Sequence, residues 1–217
     1  MRSSPYIALF AIFSFYACTA PQDEEEKSLP MEVAEAYGID NMADVETLQY
    51  TFNVQVDSAT VRSRSWKWNV KSNEVYYEDQ DTSMTYSLME KDSTLNDIDN
   101  RFINDKYWLL FPFQLAWDTG YEYETLPDQT APISGDNTTK LTIVYNDTDG
   151  YTPGDAYDLY LDEDNRIREW VFRRGNGPEG RPMTWENVQD FNGIEIALDH
   201  KDASGKTFLW FSDVAVN

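Results

Sequence analysis

From Thr47 to Asp57 apolar and polar residues alternate without a break. Leu48, Tyr50, Phe52, Val54 and Val56 fall on one side, and Gln49, Thr51, Asn53, Gln55 and Asp57 on the other. A period of two predicts a strand with one dry and one wet face. Ser58-Ala59 turns the chain, and Thr60–Val70 follows with Arg62, Arg64, Trp66, Trp68 and Val70 on one face. Two arginines on a face with two tryptophans must be paired, or must lie near an opening, if that face points inward. Glu74–Glu78 and Thr82–Met89 continue the meander across Asp79-Gln80-Asp81.

The pattern then changes. Asp92-Ser93 is placed to cap a helix from Thr94 to about Asn104, with Ile98, Phe102 and Ile103 on one side. Arg101–Asp118 holds Phe102, Tyr107, Trp108, Phe111, Phe113 and Trp117, a dense aromatic run that reads as the plug of a curved sheet. Pro112 argues for a break or kink, and leaves Leu109–Ala116 open between helix and extended chain. Beyond it the spacing predicts strands over Tyr121–Thr125, Lys140–Tyr145, Tyr157–Asp162, Arg166–Arg174, Met183–Asp190, Ile194–Asp199 and Thr207–Val214. Pro127–Asn137 reads as loop, and Asn192-Gly193 as a hairpin turn. Leu29–Tyr37, with Pro30 in its first turn and Gly38 after it, reads as a short helix. The expected class is mainly β with minor α: about eleven short antiparallel strands in a curved sheet, with two helical pieces, the aromatic one covering an open face; the resemblance given below implies that this sheet is an incomplete barrel covered by one or two helical segments.

The N-terminus lies outside this pattern. Arg2 precedes an apolar run, Tyr6–Ala17, of signal-peptide length and too short to span a bilayer comfortably. Phe15-Tyr16-Ala17-Cys18 resembles a bacterial lipobox, which implies cleavage before Cys18 and lipid attachment to it. Phe15 stands where leucine is usual. Cys18 is the only cysteine, so no disulfide partner explains it. The acidic segment Thr19–Ser28, with Asp23–Glu26 consecutive acids, resembles the tether of lipoproteins displayed at the outer face of some outer membranes. The expected organisation is a signal peptide over 1–17, a lipidated tether over 18–28 and one domain over 29–217.

Composition narrows the function. A formal charge of −22 excludes nucleic acid as an expected partner, since phosphate binding needs clustered cations. Aromatics at 15% suffice for a large core, or for a core plus a greasy cavity. Catalysis finds little support. There is no Gly-x-Ser-x-Gly elbow, and the single histidine, His200, at a strand end beside Asp199, reads as a surface residue. No cofactor and no metal site are expected. Gly175–Gly180 fits G-x-G-x-x-G in spacing, but Pro178 and flanking strands make it a hairpin loop. Beside it Arg173, Arg174 and Arg181 form the most basic spot of the chain, suited either to gripping an anion or to pairing with local acids.

The order of elements resembles the LolA and LolB lipoprotein-carrier superfamily. The residues carrying it are Leu48–Val56, Arg64-Ser65-Trp66, Asn104–Leu109, Tyr157–Asp162 and Phe208–Val214. The resemblance implies a half-barrel whose apolar hollow holds acyl chains, and an arginine on the second strand that contacts the helical lid. Arg62 and Arg64 are both candidates for that arginine. Because this chain has its own anchor, a fixed receptor or sensor fits better than a shuttle. The candidate ligand-binding set is Arg62, Arg64, Trp66, Trp68, Tyr107, Trp108, Phe111 and Trp117, in a wider aromatic group with Trp170, Trp185 and Trp210. An ordinary packed core is the alternative for the same residues. The expected function is binding of a hydrophobic small molecule or lipid by a protein held to the membrane through Cys18. The competing expectation is a non-catalytic module that binds an envelope protein partner.

Overall fold

The computed structural model describes residues 27–90, 93–147 and 152–217; Cys18, the leader and most of the tether lie outside them. Twelve antiparallel strands form two sheets. The larger is built from β1 (Thr47–Gln55), β2 (Val61–Asn69), β3 (Glu74–Glu78), β4 (Ser83–Ser87), β10 (Glu186–Phe191), β11 (Ile194–Lys201) and β12 (Thr207–Val216), in the order β10-β11-β12-β1-β2-β3-β4. The smaller is a meander of β5 (Tyr121–Thr130), β6 (Asn137–Tyr145), β7 (Ala156–Leu161), β8 (Ile167–Arg173) and β9 (Arg181–Thr184).

The alternation in β1 sets the interior. Leu48, Tyr50 and Phe52 are buried, and β2 places Trp68, Trp66 and Arg64 directly opposite them. Cross-strand pairs of this kind stabilise a sheet through side-chain contact. The strand ends at Gln55, so Val56 projects into solvent rather than extending the dry face.

Among the described residues two α-helices, with three short 3-10 helices, accompany the sheets. In α1 (Leu29–Ala36), Pro30 sits in the first turn, and Gly38 follows at φ +90°, where a Cβ would meet the Gly193 carbonyl oxygen at 1.9 Å. The long helix α2 (Asn96–Trp117) joins β4 to β5, the two edge strands that do not pair with each other. It runs through Pro112 as one element. Leu110 leaves helical geometry (φ −117°, ψ 26°), and this kink accommodates the hydrogen bond that proline cannot donate. Asp97, Asp99, Arg101, Asp105 and Lys106 interrupt its apolar character, and no helix among the described residues is long and apolar enough to cross a membrane.

The strand count exceeds the expected eleven because Met183–Asp190 is two strands. Thr184 closes β9 in the smaller sheet, Glu186 opens β10 in the larger one, and buried Trp185 makes the crossing. The sheets meet at this seam: Met183 bridges Asp202, and the Lys201 amide donates to Thr184 Oγ1 at 2.9 Å. Likewise β5 continues past Pro127 to Thr130, where a loop was expected. It is an edge strand with a register shift between Leu126 and Gln129, a setting in which proline is tolerated.

Candidate functional site

Helix α2 faces both sheets, and its two sides differ. Towards β2 and β3 the rings close on one another. Phe102 lies 5.3 Å from Trp66 and 6.0 Å from Trp68, and Trp66 lies 4.5 Å from Tyr77. Beneath them Asp105 is fully buried. Arg64 donates to it through Nε at 2.6 Å and Nη2 at 2.5 Å, and Trp66 Nε1 donates at 2.9 Å. The Arg64 guanidinium also sits 4.7 Å above the Phe52 ring. Burial pushes the Asp105 carboxyl above its usual range, while the donors from Arg64, Asn104 and Trp66 pull against that shift. Removing either partner strands a buried charge, so the pair fixes α2 on β2.

Further along α2, Tyr107 donates to the Tyr145 hydroxyl, and Tyr145 donates to Asp118 at 2.8 Å. Burial raises Asp118, again opposed by these tyrosine donors. Below Trp108 lies His200, fully buried between Trp108, Trp185 and Phe211. Its Nδ1 donates to the Thr184 carbonyl at 3.0 Å, and Nε2 has no partner. Burial lowers its pKa to about 4, so the ring is neutral at pH 7.

The opposite flank of α2 is hollow. A cavity of about 800 Å³ lies between the helix and both sheets. Ile103, Tyr107 and Trp108 come from α2, Phe52 and Val54 from β1, Tyr157, Trp170 and Phe172 from β7 and β8, and Met183, Phe208 and Leu209 from β9 and β12. Aromatic and aliphatic walls with a few polar groups, at this volume, match the general character of small-molecule sites, about 300–1,000 Å³.

Arg64, Arg174, Arg181, Asn100, Asn104, Thr152 and Asp155 complete the lining. Arg174 and Arg181 flank the β8–β9 loop. Gly180 lets that loop close onto β8, since a Cβ there would lie 2.4 Å from Val171 Cγ1. Arg173 is drawn to Asp158 at 2.9 Å and to Asn176 at 2.6 Å. Arg181 lies 3.7 Å over the Phe208 ring. Among the described residues neither Arg174 nor Arg181 has an ion pair.

Of the eight residues singled out from the sequence, Arg64, Tyr107 and Trp108 line the cavity. Arg64, not Arg62, contacts α2; Arg62 is exposed near the open end of β2. Trp66 and Trp68 are packed in the filled region, Phe111 is buried against Tyr157 and Trp170, and Trp117 is 39% exposed at the helix end beside Phe113, away from the cavity. The aromatic run thus serves both readings, core on one side and wall on the other. His200 is not a surface residue. It is in phase with buried Ile194 and Ile196 on β11, a period-two signal that marks it as internal. The wall residues Phe172, Met183 and Phe208 were not singled out, because Phe172 and Met183 belong to the smaller sheet and Phe208 to the larger, and the two sheets meet at the seam around Trp185.

No family model matches the chain, and no curated protein matches it. Several solved structures are similar to it, two of them as follows. A LolA superfamily protein from Nitrosomonas europaea has TM-score 0.48 and 12% identity, over 87% of this chain and 93% of that one. A DUF1329 family protein from Desulfovibrio piger has TM-score 0.46 and 10% identity, over the same shares.

Proposed function

We propose that this chain binds a hydrophobic guest, an acyl chain or lipid, in the cavity between α2 and the two sheets. In the same proposal it is a lipoprotein, held to an outer membrane by acylation of Cys18 and displayed at the cell surface. The supporting observation is the cavity of about 800 Å³ with aromatic and aliphatic walls. An apolar hollow left empty lowers stability, because its lining atoms lose packing partners. Each methylene buried from water contributes about 0.8 kcal/mol, so about ten of them outweigh much of the entropy lost on binding. Arg64, Tyr107 and Trp108 belong to the proposed contact set, with the role of binding rather than chemistry on the guest.

A titration with a fluorescent acyl probe tests the reading. Saturable uptake of one probe per chain is expected, with displacement by unlabelled fatty acid and weakening in Ile103→Trp, whose indole narrows the hollow. Uptake that never saturates, or that is equal in Ile103→Trp, removes it. For the anchor, native Cys18 is expected to carry acyl mass, and Cys18→Ser to release the protein from membranes.

A further inference from the structure

The cavity wall is chemically lopsided in a way the rest of the chain is not. The whole sequence carries −22, yet the lining holds three arginines against one aspartate, Asp155. Arg64 is neutralised by Asp105. Asp155 is engaged in turn, accepting the Gly175 amide at 2.7 Å. That leaves Arg174 and Arg181 as exposed cations without an ion pair among the described residues. Asp202 feels the charge of Arg181, but its Oδ1 already accepts from the Ser204 hydroxyl and from the Ser204 and Lys206 amides. Stacking on Phe208 holds the Arg181 plane by its face and leaves the N–H edges available.

We infer that the guest is an anionic amphiphile: its chain lies against Ile103, Trp108 and Phe172, and its carboxylate or phosphate head docks on Arg174 and Arg181. This rests on the cavity being the ligand site, and it adds the charge of the ligand. Guanidinium forks suit both head types, because each offers two oxygens to parallel N–H donors. An uncharged amphiphile such as a fatty alcohol makes no comparable use of two unpaired cations.

The test uses the full chain with Cys18→Ser, which removes acylation, and compares labelled palmitate, monopalmitoyl phosphatidate and hexadecanol at low salt. Palmitate or the phosphatidate is expected to bind about tenfold or more tighter than hexadecanol, the tighter of the two naming the head. In Arg174→Gln/Arg181→Gln that preference disappears while hexadecanol affinity stays unchanged. Acetate and inorganic phosphate at millimolar levels leave bound palmitate in place. Equal binding of palmitate and hexadecanol by the unsubstituted arginine pair overturns the inference and leaves the cavity reading standing. So does a double variant that still prefers the anions. Release of palmitate by inorganic phosphate alone overturns it too, by making the arginines a free-anion site. Failure of all three amphiphiles to bind removes the cavity reading itself.

Discussion

Two flanks of α2 use the same residue types to different ends. On the β2–β3 side, Phe102, Trp66, Trp68 and Tyr77 interlock, and the buried carboxylate there, Asp105, has three kinds of donor around it. On the side of β1, β8, β9 and β12, Val54, Ile103, Trp108, Phe172 and Phe208 stay partly exposed around a hollow of about 800 Å³. The filled flank fixes the helix, and the open flank stays available because the first flank carries the stability. Aromatic content therefore does not distinguish a core from a binding wall; what does is whether facing strands approach closely enough to fill the gap.

Perturbing the two flanks separately sharpens this contrast. The largest effect is expected from Asp105→Ala, which leaves Arg64 and Trp66 Nε1 without their acceptor. It should cost about 3–5 kcal/mol in denaturant unfolding. A loss well under 1 kcal/mol would mean that water reaches Arg64 and that this flank is not sealed.

Acid should act next. His200 is neutral in the fold with its pKa lowered to about 4. The unfolded chain, near 6.5, binds the proton first, so stability rises with pH across this window. The contribution is intact above about pH 6.5 and is lost as pH falls towards 4, about 3 kcal/mol in all. Comparing the pH dependence of unfolding with that of His200→Phe isolates it from the many carboxylates. Parallel curves contradict the burial of His200.

Phe208→Ala, on the open flank, is expected to cost only about 1–2 kcal/mol, less than the 3–5 of a sealed phenylalanine, while acyl-probe affinity falls clearly. A large stability loss with unchanged affinity reverses the assignment of the flanks. Ile103→Trp should change stability least, within about 1 kcal/mol, because the hollow accepts the added volume. A severe loss there means that the space is already filled.

Much of this architecture was legible in residue order. The unbroken alternation of Leu48–Val54 gave β1, Pro30 and Gly38 bounded α1, and arginines sharing a face with tryptophans required either a partner or an opening; Arg64 is paired with Asp105 and Arg62 is exposed. Helix continuity through Pro112 was not legible, because the kink at Leu110 and packing against both sheets override local propensity. The β9–β10 crossing escaped notice because Met183–Asp190 keeps a strand-like pattern while changing sheets at Trp185. That crossing brings Met183 and Phe208 to the same cavity, so the wall could not be read before the seam was known.

Native mass spectrometry of the full chain, released from its own membrane in mild detergent, addresses the central claim most directly. The account predicts a one-to-one population carrying a single non-covalent lipid mass above the polypeptide and its attached acyl groups, reduced in Ile103→Trp. A spectrum showing only the polypeptide with its covalent groups, unchanged after incubation with fatty acid, would contradict it.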